Sequence, residues 1–123
     1  MATPNIVQVA TINGVTNYVD LTTTASTLLL GNVAAGHVRK VNTIIVSNTD
    51  GTNAVNFTLS YNTNTGGSGT NVQIVSTVSV PANASLIAMD KSTSIYIDET
   101  NSLTATAGTA SKLKVIVSYE DIS

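Results

Sequence analysis

Three groups of residues have types that could carry chemistry. The first centres on the one histidine, His37, with Arg39 and Lys40 just after it. A histidine there could serve as a base or a pH switch. Catalysis would also need an oriented nucleophile and a partner, and no motif around His37 supplies them. The expected role is a solvated residue at a strand start. The second group is the carboxylates Asp20, Asp50, Asp90, Asp98, Glu99, Glu120 and Asp121. A glycosidase needs two facing each other across a cleft. Most of these sit in turn-like contexts, where Asp is expected anyway. Asp98-Glu99 and Glu120-Asp121 are adjacent, so on a strand their side chains point to opposite faces.

The third group is loops. Asn48 to Asn53 resembles the front of a calcium loop, but the twelfth position, which should carry a bidentate Glu, is Leu59. Gly66 to Gly69 (GGSG) lacks the Lys that a phosphate-binding loop places before its helix. Asn56-Phe57-Thr58 and Asn83-Ala84-Ser85 match the glycosylation acceptor pattern, which is frequent by chance in a chain so rich in Asn and Thr. The sequence therefore assigns no catalytic residue, no metal ligand, no cofactor-binding residue and no cofactor. The expectation is a protein that is not an enzyme.

Composition narrows the classes further. The 123 residues suit one domain with a core large enough to need no staples. There is no Cys, which excludes disulfides and thiolate metal sites. Five cations (Arg39, Lys40, Lys91, Lys112, Lys114) and a net charge of −2 make no basic stripe, so nucleic acid is not an expected partner. No apolar run has the length of a membrane span, and the N-terminus does not read as a signal peptide. Thr, Ser and Asn must cover the surface, and with only 10% charged residues like surfaces can approach one another.

The elements that must position these residues are all strands. Val38 to Tyr61 holds two apolar runs around a polar tip, and in the second run Val55, Phe57, Leu59 and Tyr61 alternate with polar residues. With Asp50-Gly51 between them, the spacing predicts a β-hairpin. Ile6 to Ile12 alternates and is followed by Asn13-Gly14, which predicts a second hairpin returning through Tyr18 to Leu21. Thr22 to Ala25 reads as a bend and Ser26 to Leu30 as a short strand. Gly66 to Gly69 reads as a flexible tip. Val72 to Val80 follows, with Val72, Ile74, Val78 and Val80 on one face. Asn83 to Met89, Thr93 to Ile97 and Leu103 to Ala107 are further strands. In Lys112 to Tyr119, Leu113, Val115, Val117 and Tyr119 face inward, and Glu120 to Ser123 is a polar tail. Nine or ten short strands at this spacing predict an all-β antiparallel sandwich, with the jelly roll as one topology. Residues 1–5 are expected to form an arm and residues 6–123 one β-sandwich domain.

VRKVNTIIVSNTDGTNAVNFTLSY, Val38 to Tyr61, resembles a segment of small virion structural proteins of marine tailed phages, cyanophages in particular. Those proteins carry a K-V-N-x-I-x-V-x-N-x-D-G-T-N hairpin, matched here by Lys40 to Asn53. A V-P-A-x-A-x-L segment follows, matched by Val80 to Leu86. A Y-x-x-E-x-x-S-L-x-x-x-A segment and a terminal S-Y-E-x-I-S are similar to Tyr96 to Ala107 and Ser118 to Ser123. The likeness spans the last two-thirds of the chain. It implies a β-sandwich in the virion, with a capsid decoration or cement protein as the first expectation. A neck, tail or fibre component is the variant, and a host- or glycan-binding β-sandwich module the alternative. Glycan platforms use exposed aromatics, and this chain has no Trp, one Phe and four Tyr, of which Tyr61 and Tyr119 are expected inward. The expected partners are further copies of the chain, with a trimer suited to threefold lattice positions, and the major capsid protein. Met1 to Ile12 is expected to contribute to those contacts.

Overall fold

The computed structural model describes residues 4–24 and 27–123. Met1 to Thr3 of the expected arm, and Ala25 and Ser26 at the expected bend and strand start, lie outside the described residues. Among the described residues nine strands follow in chain order: β1 (Ile12–Asp20), β2 (Thr27–Leu28), β3 (Val38–Asn48), β4 (Val55–Asn62), β5 (Asn71–Val80), β6 (Ser85–Met89), β7 (Ile95–Asp98), β8 (Ser102–Ala107) and β9 (Leu113–Ile122). One sheet has the order β1-β9-β3-β6, with β7 also on β3, beside β6 along the same edge. The other has the order β2-β8-β4-β5. All pairs are antiparallel. The pairs are nested: β4 with β5, β3 with β6 and β7, β2 with β8, and β1 with β9. That is one long hairpin wound into two facing sheets, the jelly-roll arrangement of an antiparallel sandwich.

The core lies between the sheets. β3 contributes Val41, Ile44 and Val46, β4 contributes Val55, Phe57 and Leu59, and β9 contributes Leu113, Val115, Val117 and Tyr119. The inward sets predicted for β4 and β9 hold, and Phe57 and Val115 share this core. Ile97 is buried and Tyr96 exposed, as alternation predicts.

Several expectations give way. β3 and β4 do not pair. They lie in different sheets and face one another across the core, because each carries a full apolar face that burial satisfies better than edge-to-edge pairing. The link between them is an arch pinned by buried Asn48, whose Nδ2 donates to the carbonyls of Asn53 (3.0 Å) and Val80 (2.9 Å) and whose Oδ1 accepts the Asp50 N–H (2.9 Å).

Asn13-Gly14 makes no turn. It runs through the middle of an uninterrupted ladder, Asn13 opposite Asp121 and Gly14 opposite Glu120. Nine register pairs with β9 outweigh one local turn preference. Residues 4–11 form no strand; the backbone instead joins the chain end through Ala10 N–H to Ser123 O (2.9 Å) and Ser123 N–H to Thr11 O (3.0 Å).

On β5, register shifts place Val75 opposite Leu59 and Val80 opposite Val55. Val80 is buried and Val75 packs against the core, whereas Val72, Ile74 and Val78, expected with Val80 on one face, are exposed. Residues 63–70 are not a loose tip either. A 3-10 turn at Thr65–Gly67 folds onto β8, with Gly67 N–H donating to Ser102 Oγ (3.0 Å). Buried Asn62 holds the far side, donating to Gly69 O (3.2 Å) and Asn71 Oδ1 (2.7 Å) and accepting from Asn64 N–H (3.0 Å) and Gly69 N–H (2.8 Å). A Cβ on Gly69 would lie 2.8 Å from the Asn64 backbone nitrogen, which is why a glycine stands there.

Two substitutions test this architecture. Phe57→Ala is expected to cost about 3–5 kcal/mol in chemical denaturation through lost burial and a cavity. Gly14→Val is expected to stabilise by about 0.5 kcal/mol, since a Cβ there meets nothing within 4 Å and Val suits a strand. A lowered melting temperature for Gly14→Val would restore the turn that the ladder replaces.

Candidate functional site

His37 is not a free solvated residue. Its Nδ1 lies 2.9 Å from Asp121 Oδ1. The expected polar tail is the last part of β9, and Asp121 pairs in register with Arg39. Arg39 turns toward the sandwich end: Nη2 is 3.9 Å from Asp121 Oδ2, and Nη1 donates to the Leu30 carbonyl. Its guanidinium carbon is 5.1 Å from the centroid of the Tyr119 ring, an arrangement that favours a cation over the ring face. Asn17 Nδ2 donates to Tyr119 Oη (3.3 Å). The buried Arg39 Nε has no hydrogen-bond partner. The cluster thus ties the loop before β3 to β3, β9 and β1. Among the described residues no Ser or Thr hydroxyl is hydrogen-bonded to His37. The carboxylate and imidazole are oriented as in an acid–base pair, and what they orient is the end of a sheet.

The other acids are engaged separately. Asp20 Oδ1 is 2.9 Å from Lys114 Nζ across β1 and β9. Asp50 Oδ1 accepts the N–H groups of Thr52 (2.9 Å) and Asn53 (3.1 Å), and those two bonds hold its carboxyl below the usual carboxylate range. Leu59, where a calcium loop would have its last ligand, is buried in the core. The Asp90 carboxyl is also lowered, first by the Ser92 hydroxyl at 2.6 Å and then by the Ser92 N–H at 2.9 Å. Asp98 Oδ1 accepts both the N–H and the hydroxyl of Thr100. Glu120 accepts from Asn42 Nδ2 at 3.4 Å. Among the described residues no three His, Cys, Asp or Glu side chains gather into a metal-binding group.

The surface holds a feature that no local pattern announces. On the outward face of the β1-β9-β3-β6 sheet, Tyr18 pairs with Ile116, Ile116 with Ile45, and Ile45 with Ile87. These four residues, one from each strand, form a continuous apolar row across the sheet. Tyr18 is 73% exposed, Ile87 66% and Ile116 44%. Toward one end of the sheet the row is flanked by Asp20, Lys114, Ser47 and Ser85. Toward the other come Thr16, Ser118 and Thr43, then Gly14, Glu120, Lys40 and Tyr96. Beyond them, Pro4 and Ile6 line a groove of about 360 Å³ with Val38, Tyr96 and Asp98. Ile6 (52%) and the neighbouring Val7 (86%) are themselves exposed.

No protein-family model and no curated protein matches the sequence. Among solved structures the chain is similar to a protein whose structure is described under the words "Bacillus endospore appendages form a novel family of disulfide-linked pili". The two are 15% identical, with a TM-score of 0.52, over 92% of this chain and 87% of that one. The likeness is one of fold. The disulfide link named there has no counterpart here, because this chain has no Cys.

The lowered Asp50 and Asp90 carboxyls predict acid sensitivity. Their contribution to stability is complete above the ordinary carboxylate value of 3.8 and is lost as pH falls through their lower folded-state values. Asp50→Ala is therefore expected to be less stable than the parent at neutral pH and to lose less stability between about pH 4 and pH 2. Denaturation midpoints across that range provide the check; parallel curves for the two proteins would contradict it.

Proposed function

We propose that this chain is a structural subunit of a phage virion, acting as a capsid decoration or cement protein that adds buried area at subunit junctions. The observation that carries the reading is apolar surface that the jelly roll leaves uncovered: the Tyr18–Ile116–Ile45–Ile87 row and the Ile6–Val7 segment, besides Val72, Ile74 and Val78 on β5. Exposed apolar patches with polar rims mark contact surfaces. The likeness of Val38 to Tyr61 and of the later segments to virion proteins supports the particle context. The partners are other copies of the chain and the major capsid protein, the location is the virion, and no catalysis is involved.

A second reading, a neck, tail or fibre component, draws on the fold's similarity to the protein described with endospore pili. A glycan-binding module gains less support. The exposed aromatics Tyr18 and Tyr96 stand on β1 and β7, at opposite edges of the sheet, so they do not form a stacking platform.

Purified protein is expected to co-sediment with undecorated heads, and deletion of residues 1–5 to weaken that binding while the melting transition is retained. A strictly monomeric protein with no affinity for head, neck or tail would overturn the reading and favour a binding module.

A further inference from the structure

We infer that the outward face of the β1-β9-β3-β6 sheet is a two-fold interface with a second copy of this chain. The inference deepens the assembly reading and rests on it for biological context, although the geometry stands alone. A two-fold axis lying in the interface, parallel to the strands and between β9 and β3, leaves each row facing itself and reverses the strand order. Tyr18 then lies over Ile87 of the other copy, and Ile116 over Ile45. Two sheet faces meeting within about 30° of parallel pack in this way.

The charges select this occupant. In the row of Gly14, Glu120, Lys40 and Tyr96, Glu120 is on β9 and Lys40 on β3, the two strands the axis exchanges. Glu120 of one copy therefore faces Lys40 of the other, twice over. Within one chain the two residues are cross-strand neighbours, yet they form no ion pair among those found between the described residues; Glu120 is bonded to Asn42 instead. The second copy completes a square of alternating charge. In the row on the opposite flank, Lys114 and Asp20 already pair with each other, and the axis sets them over Ser47 and Ser85. No like charges meet in these rows.

The area is adequate. Four strands at about 4.8 Å spacing and four rows at about 6.8 Å give roughly 500 Å² of flat sheet, before side-chain relief is counted. A standard interface buries about 800 Å² per partner. The exposed Ile6 and Val7, beyond the Lys40 end of the face, are placed to supply part of the difference. An isologous face closes at two copies, in place of the trimer expected from the sequence.

Sedimentation velocity on the full chain tests the interface. A monomer–dimer equilibrium is expected in the micromolar range. Ile116→Lys, on an exposed site, should weaken the dimer at least about tenfold without changing the far-ultraviolet spectrum. Lys40→Glu and Glu120→Lys should each weaken self-association, and an equimolar mixture of the two should form a heterodimer, because each then meets the opposite charge. A monomeric parent at about 100 µM, a trimer, or variants that associate like the parent would each overturn the inference. So would failure of the mixture to associate. A monomer that still binds heads would remove this interface and leave the assembly reading in place; a dimer that binds no particle would do the reverse.

Discussion

The pairing of β9 with β1 on one side and β3 on the other is the contact on which the rest of the molecule depends. The last strand of the chain is a central strand of its sheet. It meets β1 over nine register pairs, from Ile12 opposite Ile122 to Asp20 opposite Lys114. Its inward side supplies Leu113, Val115, Val117 and Tyr119 to the core. Its end carries Asp121, which fixes His37 and Arg39. Until that strand arrives, β1 has no ladder and the core lacks one wall. Contacts so distant along the chain incur a closure entropy before they return any burial, which makes such folds slow to form and strongly cooperative.

Much of this was legible in the sequence. Period two identified the inward sets of β4 and β9 because each lies between two neighbours in a mostly regular sheet. On β5 the period holds only at Val80: Val72, Ile74 and Val78 are exposed and Val75 turns to the core, since this strand at a sheet edge shifts register twice against β4. The Asn13-Gly14 signal is real as a local preference but loses to a nine-pair ladder with the far end of the chain, where Asn13 meets Asp121 and Gly14 meets Glu120. Apolar patterning marks both runs in Val38 to Tyr61 as strands. It does not fix what they pair with, because a six-residue link between apolar strands serves an arch as well as a hairpin. Asn48, buried and fully bonded to the arch and to β5, is the residue that marks the difference.

The polar features of interest were the least legible. His37 and Asp121 are 84 residues apart, and nothing near either one names the other. Ile116, Ile45, Ile87 and Tyr18 are each ordinary strand residues. They form a row only through the registers of three strand pairs, which no single-strand pattern contains. By contrast, the loops at residues 49–54 and 63–70 owe their order to side chains of Asn and Asp accepting and donating at the backbone, a role those residue types have in turns generally.

The same central strand that closes the fold also presents Ile116 and Glu120 on its outer face, so the proposed two-fold contact would rest on the element that completes the fold. Nuclear Overhauser contacts between the Tyr18 ring and the Ile87 methyls test this most directly. Within one chain the two residues stand on the outermost strands of the row, three strand spacings or about 14 Å apart, too far for such a contact. The proposed two-fold face would bring them together between chains, so the cross-peaks should be present and should fade on dilution. Their absence at high concentration, with the intrachain Ile45–Ile116 cross-peaks intact, would contradict the account.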